Sequence, residues 1–340
     1  MVKLPLNQLD SLFAAIAGQQ KLYLPAEDAS GMSHFVPWQE GVKLSSKLNT
    51  ERSAKDFFFP QTEDIVSFVV DGKNIEIIDE RKEAEDFVIF GVRACDVRSF
   101  SILDKVYLVD PVDTFYKTRR EHGTIISLAC SRPEETCFCT SFGIDAAKPE
   151  GDIAAWMTDE SLCMEAQSEK GEKLLASLAS LVEEGGKEEA QAQIEKTHAV
   201  MAQMPLANLQ PKDFTENQLE VFKSEKWAEL SKTCLGCGSC TFVCPTCQCY
   251  DIRDFDTGHG IKRYRCWDSC MYSEFTRMAH GNPRLSQLER FRQRFMHKLV
   301  YFPANNDGEY GCVGCGRCLK KCPISMNIVK VMKSLGEEKE

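Results

Sequence analysis

The chemistry available to this chain is concentrated in its cysteines, whose spacing is regular. Near the C-terminus the sequence reads CLGCGSCTFVCP and, further on, CVGCGRCLKKCP. The first stretch sets Cys234, Cys237, Cys240 and Cys244 ahead of Pro245; the second sets Cys312, Cys315, Cys318 and Cys322 ahead of Pro323. Both follow C-x2-C-x2-C-x3-C-P, the spacing of a loop that holds a cubane 4Fe–4S cluster. Three thiolates from such a loop reach three irons, and the glycines between them let the backbone turn close against the sulfides. Zinc is the competing chemistry, because CxxC pairs bind it too. Zinc needs two separated pairs, however, and gains nothing from the x2-x2-x3-P pattern, which here occurs twice.

The fourth thiolate of each cube must come from elsewhere, and in two-cluster ferredoxins the cysteine before the proline serves the other cluster. On that rule Cys234, Cys237, Cys240 and Cys322 hold one cube, and Cys312, Cys315, Cys318 and Cys244 hold the other. A further set lies in the N-terminal half. FVIFGV at 87–92 leads into RACD, with Cys95 and Asp96, and TIISLA at 124–129 leads into Cys130. Continuous apolar runs of this kind fit strands buried on both faces, with a crossover helix between them in SFSILDKVYL. If the strands are parallel neighbours, both cysteines stand at one sheet edge, where open α/β sheets bind ligands. Cys137 and Cys139 can fold back to it. Cys95, Cys130, Cys137 and Cys139 thus form a candidate third 4Fe–4S site, with zinc or inert buried thiols as the alternatives. Cys247, Cys249, Cys266 and Cys270 follow the first loop, either as an additional metal site or as thiols shielding the cubes. Cys163 stands alone and is read as a packing residue.

These loops need elements to hold them. Leu6, Leu9, Phe13 and Ile16 recur at helical spacing. Strands are expected at 21–26, 65–70 and 74–78, the last two joined by the turn signal Asp71–Gly72, and again at 153–159 and 162–166. FFFPQTE at 57–63 carries an aromatic triplet that suits a core. Amphipathic helices are expected over 170–182 and 187–204, broken at Gly185–Gly186, and another over 215–232 leads to the first loop. Pro205 and Pro211 bracket a boundary, dividing the chain into an α/β-type domain of residues 1–212 and a cluster domain of 213–340. The 67 residues between Cys244 and Cys312, with helical patterns at 271–279 and 285–300, point to an all-α, helical ferredoxin-like cluster domain.

Bulk properties narrow the function. The net charge is −10, unevenly spread. Residues 213–340 carry 19 Lys and Arg against 16 Asp and Glu, and the remainder 22 against 35. The acidic half would repel nucleic acid, and the basic excess is read as offsetting thiolate clusters. Arg263, Arg265, Arg290, Arg292 and Arg294 are accordingly expected to be solvated or to face the clusters. His122 and His297 are read as structural. No apolar stretch is long enough to span a bilayer, and cysteines at metal-type spacing without a secretory signal argue for the cytoplasm. No G-x-G-x-x-G fingerprint, P-loop, G-x-S-x-G or HExxH motif is present, so such a chain would need partners to receive electrons.

The sequence resembles the iron–sulfur β subunits of cytoplasmic sulfhydrogenases and the A subunits of anaerobic sulfite reductases. The likeness rests on FFFPQTE, FGVRACD at 90–96, the Cys130…CFC stretch, CGSCTFVCPTCQCYD at 237–251, WDSC at 267–270 and CVGCGRC at 312–318, and it covers nearly the whole chain. Cys95, Cys130, Cys137 and Cys139 all match family positions. Cys266 falls where the family usually has a basic residue, which leaves Cys247, Cys249 and Cys270 for an additional site. The resemblance implies an electron-transfer subunit of an anaerobic complex, an obligate hetero-oligomer with a flavin (FAD) subunit that reacts with NAD(P)H and a catalytic redox subunit. Two rival readings are an enzyme with substrate at an open iron of the N-terminal cluster, and a structural zinc scaffold.

Overall fold

The computed structural model describes residues 1–47, 49–81 and 85–336. They fall into two compact units. The first comprises Met1–Phe58, Ala84–Gln210 and Cys312–Arg317; the second comprises Phe59–Glu83, Pro211–Gly311 and Cys318–Glu340. The units interleave along the chain, so that the segment around 62–79 and the Cys312–Arg317 loop each lie across a simple cut after residue 212.

An eight-stranded mixed sheet organises the first unit, in the order Glu183–Glu184, Val2–Pro5, Ser161–Ala166, Ile153–Met157, Gly123–Leu128, Phe87–Val92, Lys21–Glu27 and Ser33–Pro37. The four strands from Ile153–Met157 to Lys21–Glu27 run parallel. Phe87–Val92 and Gly123–Leu128 are its nearly fully buried interior, as their unbroken apolar runs require. Helix Leu9–Ala17 buries Leu12, Phe13 and Ile16 in one core cluster with Leu24, Phe90, Ile126 and Leu162. Helix Lys187–Ala202 sets Ala190 and Ile194 against Trp156 and Cys163, confirming Cys163 as a packing residue. Helices Ala94–Tyr107 and Thr114–His122 make the crossover, the second capped by the Asp113 carboxylate, which accepts from the Tyr116 amide at 2.9 Å.

The crossover decides where the cysteines go. Ile89 pairs with Ile125 and Phe90 with Ile126, so both strands deliver the chain to the same edge, at Arg93–Cys95 and at Cys130. The register slips between Phe90 and Val92, around Gly91 at a φ of 82°, and this bulge re-aims the chain just ahead of Arg93. A Cβ at Gly91 would stand 3.0 Å from the Pro25 ring.

The second unit joins a four-stranded antiparallel sheet to helices. Its strand order is Tyr250–Asp256, Gly260–Trp267, Thr62–Asp71 and Asn74–Asp79. Trp227, Phe291, Phe295, Met296 and Leu299 are buried among the helical residues, with Phe291 edge-on to Phe295 at 4.7 Å between centroids. Helix Gln287–Met296 opens on a capping box between Ser286 and Glu289 and continues into a π-helical turn, His297–Tyr301.

Residues 213–340 are therefore not all-helical. YDIRDFD and GIKRYRCW mix aromatic and β-branched residues with charged ones, and Thr257–Gly260 turns them into a hairpin with Gly258 at a φ of 80°. The length of the insert suggested helices; the turn at 257–260 and pairing along both strands make a hairpin instead. The hairpin then pairs with Thr62–Asp71, nearly two hundred residues earlier. The helix expected at 271–279 is a series of turns, and that of 215–232 is two short helices, Gln218–Lys223 and Lys226–Ser231, parted at Ser224. The aromatic triplet is core: Phe58 packs edge-on to Phe100 at 4.8 Å, and Phe59 stacks on Trp267 at 5.9 Å.

Phe90 is fully buried and edge-on to Phe13 at 5.0 Å. Phe90→Ala is expected to cost roughly 3–5 kcal/mol of stability, read as a lowered denaturant midpoint at constant slope.

Candidate metal centres

Four thiols meet at the carboxyl edge of the first unit's sheet. Cys95 opens helix Ala94–Tyr107, Cys130 follows strand Gly123–Leu128, and Cys137 and Cys139 lead into the short helix Cys139–Phe142. All four are buried, between 1 and 3 % exposed. Beside them lies the Arg93 side chain, 2 % exposed. Its Nη2 donates to Cys130 Sγ at 3.1 Å and to Cys137 Sγ at 3.6 Å. Its Nε and Nη1 have no hydrogen-bond partner, nor do the buried hydroxyls of Thr136, Thr140 and Ser141.

Burial pushes the thiols of Cys95 and Cys130 up from their usual range, and that of Cys139 up to about 12; the Arg93 charge opposes this in each case. A buried guanidinium with idle donors requires a strong acceptor, and thiolates bridged by a metal centre supply one. The donor set, four thiols and a cation that hydrogen-bonds sulfur, fits an iron–sulfur cluster.

The Cys312–Arg317 segment belongs to the same unit and packs on this site. Phe138 donates its amide to Gly314 O at 2.8 Å, and the Cys137 thiol lies 3.9 Å from Cys315 O. Gly314 and Gly316 have φ of 59° and 77°, and a Cβ on either would come within 2.4 Å of the carbonyl oxygen of Phe138 or Thr136. Only glycine permits this approach. Asn49 Nδ2 bridges Cys315 O at 3.4 Å and Glu134 Oε2 at 3.1 Å. Arg317, equally buried, holds Asp96 through both η nitrogens at 2.5 and 2.7 Å and donates through Nε to Thr50 O at 2.8 Å.

In the second unit Cys234, Cys237, Cys240 and Cys322 line one apolar pocket with Phe291, Arg294 and Phe295. Gln287 Nε2 donates to Cys234 Sγ at 3.4 Å, and the Gly236 amide lies 3.5 Å from the same sulfur. The Ser239 hydroxyl, 3.4 Å from the Cys237 thiol, holds that thiol below its usual range. Burial raises Cys240, against the pull of Arg294. Arg294 is 3 % exposed, its Nε lacks a partner, and its charge faces Cys240, Cys318, Cys247 and Cys244.

One turn further along the same helical run, buried Lys298 donates to Thr246 Oγ1 at 2.7 Å and to Gly311 O at 3.0 Å. Its charge bears on Cys244, Cys247, Cys249 and Cys270. Within the touching pairs, the hydrogen bond from Cys247 holds Cys244 low, and that from Cys270 holds Cys249 down to about 7. The three thiols read as an additional site are thus gathered about Lys298 together with Cys244. Cys266 lies instead on strand Gly260–Trp267, opposite Asp251. The second predicted set takes Cys312 and Cys315 from the first unit and Cys318 and Cys244 from the second. Among the described residues, no three His, Cys, Asp or Glu side chains converge as ligands of a single metal ion must.

Of the arginines expected to be solvated or cluster-facing, Arg294 faces thiols and Arg263 pairs with Asp254 at the surface. Arg265 does neither: it is buried on Glu63, 5.1 Å over the Phe59 ring. The residues' spacing pointed to Asp96 only as the neighbour of Cys95, and gave no role to Arg93, Arg317 or Lys298. A cation directly after a buried strand and before a cysteine was the one available signal for Arg93.

A family model described as a 4Fe-4S dicluster domain matches residues 233–326. The chain is 34% identical over 253 residues, 74% of its own length and 74% of the relative's, to the sulfhydrogenase 2 subunit beta of Pyrococcus furiosus. No solved structure matches. No helix among the described residues is long and apolar enough to cross a membrane.

The Asp96–Arg317 pair yields a stability test. Asp96→Asn leaves a buried guanidinium without its counter-charge and is expected to destabilise the protein by about 3–5 kcal/mol, measured by chemical denaturation.

Proposed function

The chain belongs to the family of sulfhydrogenase β subunits, and on that premise we propose that it is the electron-transfer subunit of a cytoplasmic, multi-subunit oxidoreductase. It relays electrons between a flavin subunit that reacts with NAD(P)H and a catalytic reductase or hydrogenase subunit. Cys234, Cys237, Cys240 and Cys322 hold one 4Fe–4S cube, Cys312, Cys315, Cys318 and Cys244 a second, and Cys95, Cys130, Cys137 and Cys139 a third. Such a cube takes up and returns one electron at a time.

One observation carries this reading: buried cations stand against the thiols with hydrogen-bond donors left over. Arg93 and Arg294 each keep donors that no protein atom accepts. A permanently charged side chain in a low-dielectric interior needs a lasting negative charge beside it. Thiolate-ligated iron provides that in both oxidation states. The Arg93, Arg294 and Lys298 charges then offset the thiolates, and amides such as that of Gly236 stabilise charge on individual sulfurs. Cys247, Cys249 and Cys270, about Lys298, shield this region or hold a further metal.

Anaerobic purification from the native host tests the proposal. About twelve irons per chain and a co-purifying flavoprotein are expected. Arg93→Met should lower the iron content by about four per chain while leaving the visible absorption of the other centres. An iron-free protein that folds with zinc in its loops, or a stable lone monomer, overturns the proposal.

A further inference from the structure

The contacts within the first unit also place the centres in order. We infer that the N-terminal centre of Cys95, Cys130, Cys137 and Cys139 and the centre to which Cys312 and Cys315 contribute are immediate redox neighbours, adjacent stations in the relay. The inference rests on the third-centre reading above and adds to it a sequence of transfer.

The two sets of ligands share one frame. Cys137 Sγ lies 3.9 Å from the carbonyl oxygen of Cys315, so a ligand of one centre touches the peptide of a ligand of the other. The residue after Cys137, Phe138, donates its amide to Gly314, the residue before Cys315, at 2.8 Å. Cys95 feels the charge of Cys315 as well as that of Cys139. Asp96, next to Cys95, grips Arg317, two residues after Cys315, through two hydrogen bonds. Asn49 closes the frame from the far side through Cys315 O and Glu134.

The approach has been made as close as a backbone allows. At Gly314 and Gly316 a methyl group would overlap the carbonyls of Phe138 and Thr136, and both glycines adopt the left-handed conformation that other residues avoid. The same pair in the first loop, Gly236 and Gly238, faces Gln287 and Tyr272 instead, so the C-x2-C-x2-C loop does not by itself require a second cysteine segment to lie on its glycines. Short separation matters for passing an electron, because transfer falls steeply with distance. Each step moves one electron, oxidising the donor centre and reducing the acceptor by one, with no bond made or broken; the partner flavin is the reductant. The N-terminal centre therefore exchanges with the Cys312–Cys315 centre.

Paramagnetic resonance of the full chain in its complex decides the matter. The double variant Cys237→Ala/Cys240→Ala removes the first cube and should leave about eight irons per chain. In the fully reduced variant the two remaining centres should show a split, fast-relaxing spectrum, the signature of neighbouring spins. Two independent, slowly relaxing signals at full iron content overturn the inference while leaving three centres intact. If the double variant does not fold, Cys130→Ser serves. There the N-terminal signal should vanish together with its splitting, and an unchanged spectrum after loss of about four irons overturns the inference. A wild-type complex with only about eight irons instead overturns the third-centre reading, and this inference with it.

Discussion

Positive charge buried among thiols is the constraint on which the rest of this structure turns. Arg93 lies wholly inside the first unit with two donors unpartnered, its remaining hydrogen bonds made to sulfur. Arg294 and Lys298 occupy corresponding places in the second, one helical turn apart, facing six cysteines between them. Uncompensated, each charge would cost several kcal/mol, more than most single side chains contribute to stability. The groups around them are thiols, the side chains able to carry the opposing charge. The packed elements of both units bring cations and thiols together at their edges.

The contrast with Arg317 and Arg265 sharpens the point. Both are as buried as Arg93, yet each has a carboxylate: Asp96 for the first and Glu63 for the second. These pairs are structural. They fasten loops and strands far apart in sequence, and their charge is neutralised on the spot. Arg93 and Arg294 instead keep donors that no protein atom accepts, and that sets them apart from Arg317 and Arg265.

Glycines perform the complementary task. Gly314 and Gly316 admit the carbonyls of the Thr136–Cys139 segment, and Gly236 and Gly238 admit Gln287 and Tyr272 to the first loop. Gly91 turns a core strand so that its next side chains point to the thiol edge rather than into the sheet. The four loop glycines each mark a place where backbone or side chain comes closer to a cysteine loop than a Cβ would permit.

Features decided by near neighbours were legible from the residues alone. The two C-x2-C-x2-C-x3-C-P runs, the apolar strands ahead of Cys95 and Cys130, the Asp71–Gly72 hairpin and the helix along Leu288, Phe291 and Phe295 all follow from spacings of a few residues, and spacing is local. Tertiary structure alone settled what joins distant parts of the chain. The hairpin at 250–267 took its partner from 62–71, which put strands into a region whose length had suggested helices. Asp96 found Arg317, and Phe138 found Gly314. No periodicity encodes such pairings, because they depend on which surfaces the folded backbone brings within a few ångströms. The sequence named the thiols; three dimensions chose the charges that stand beside them.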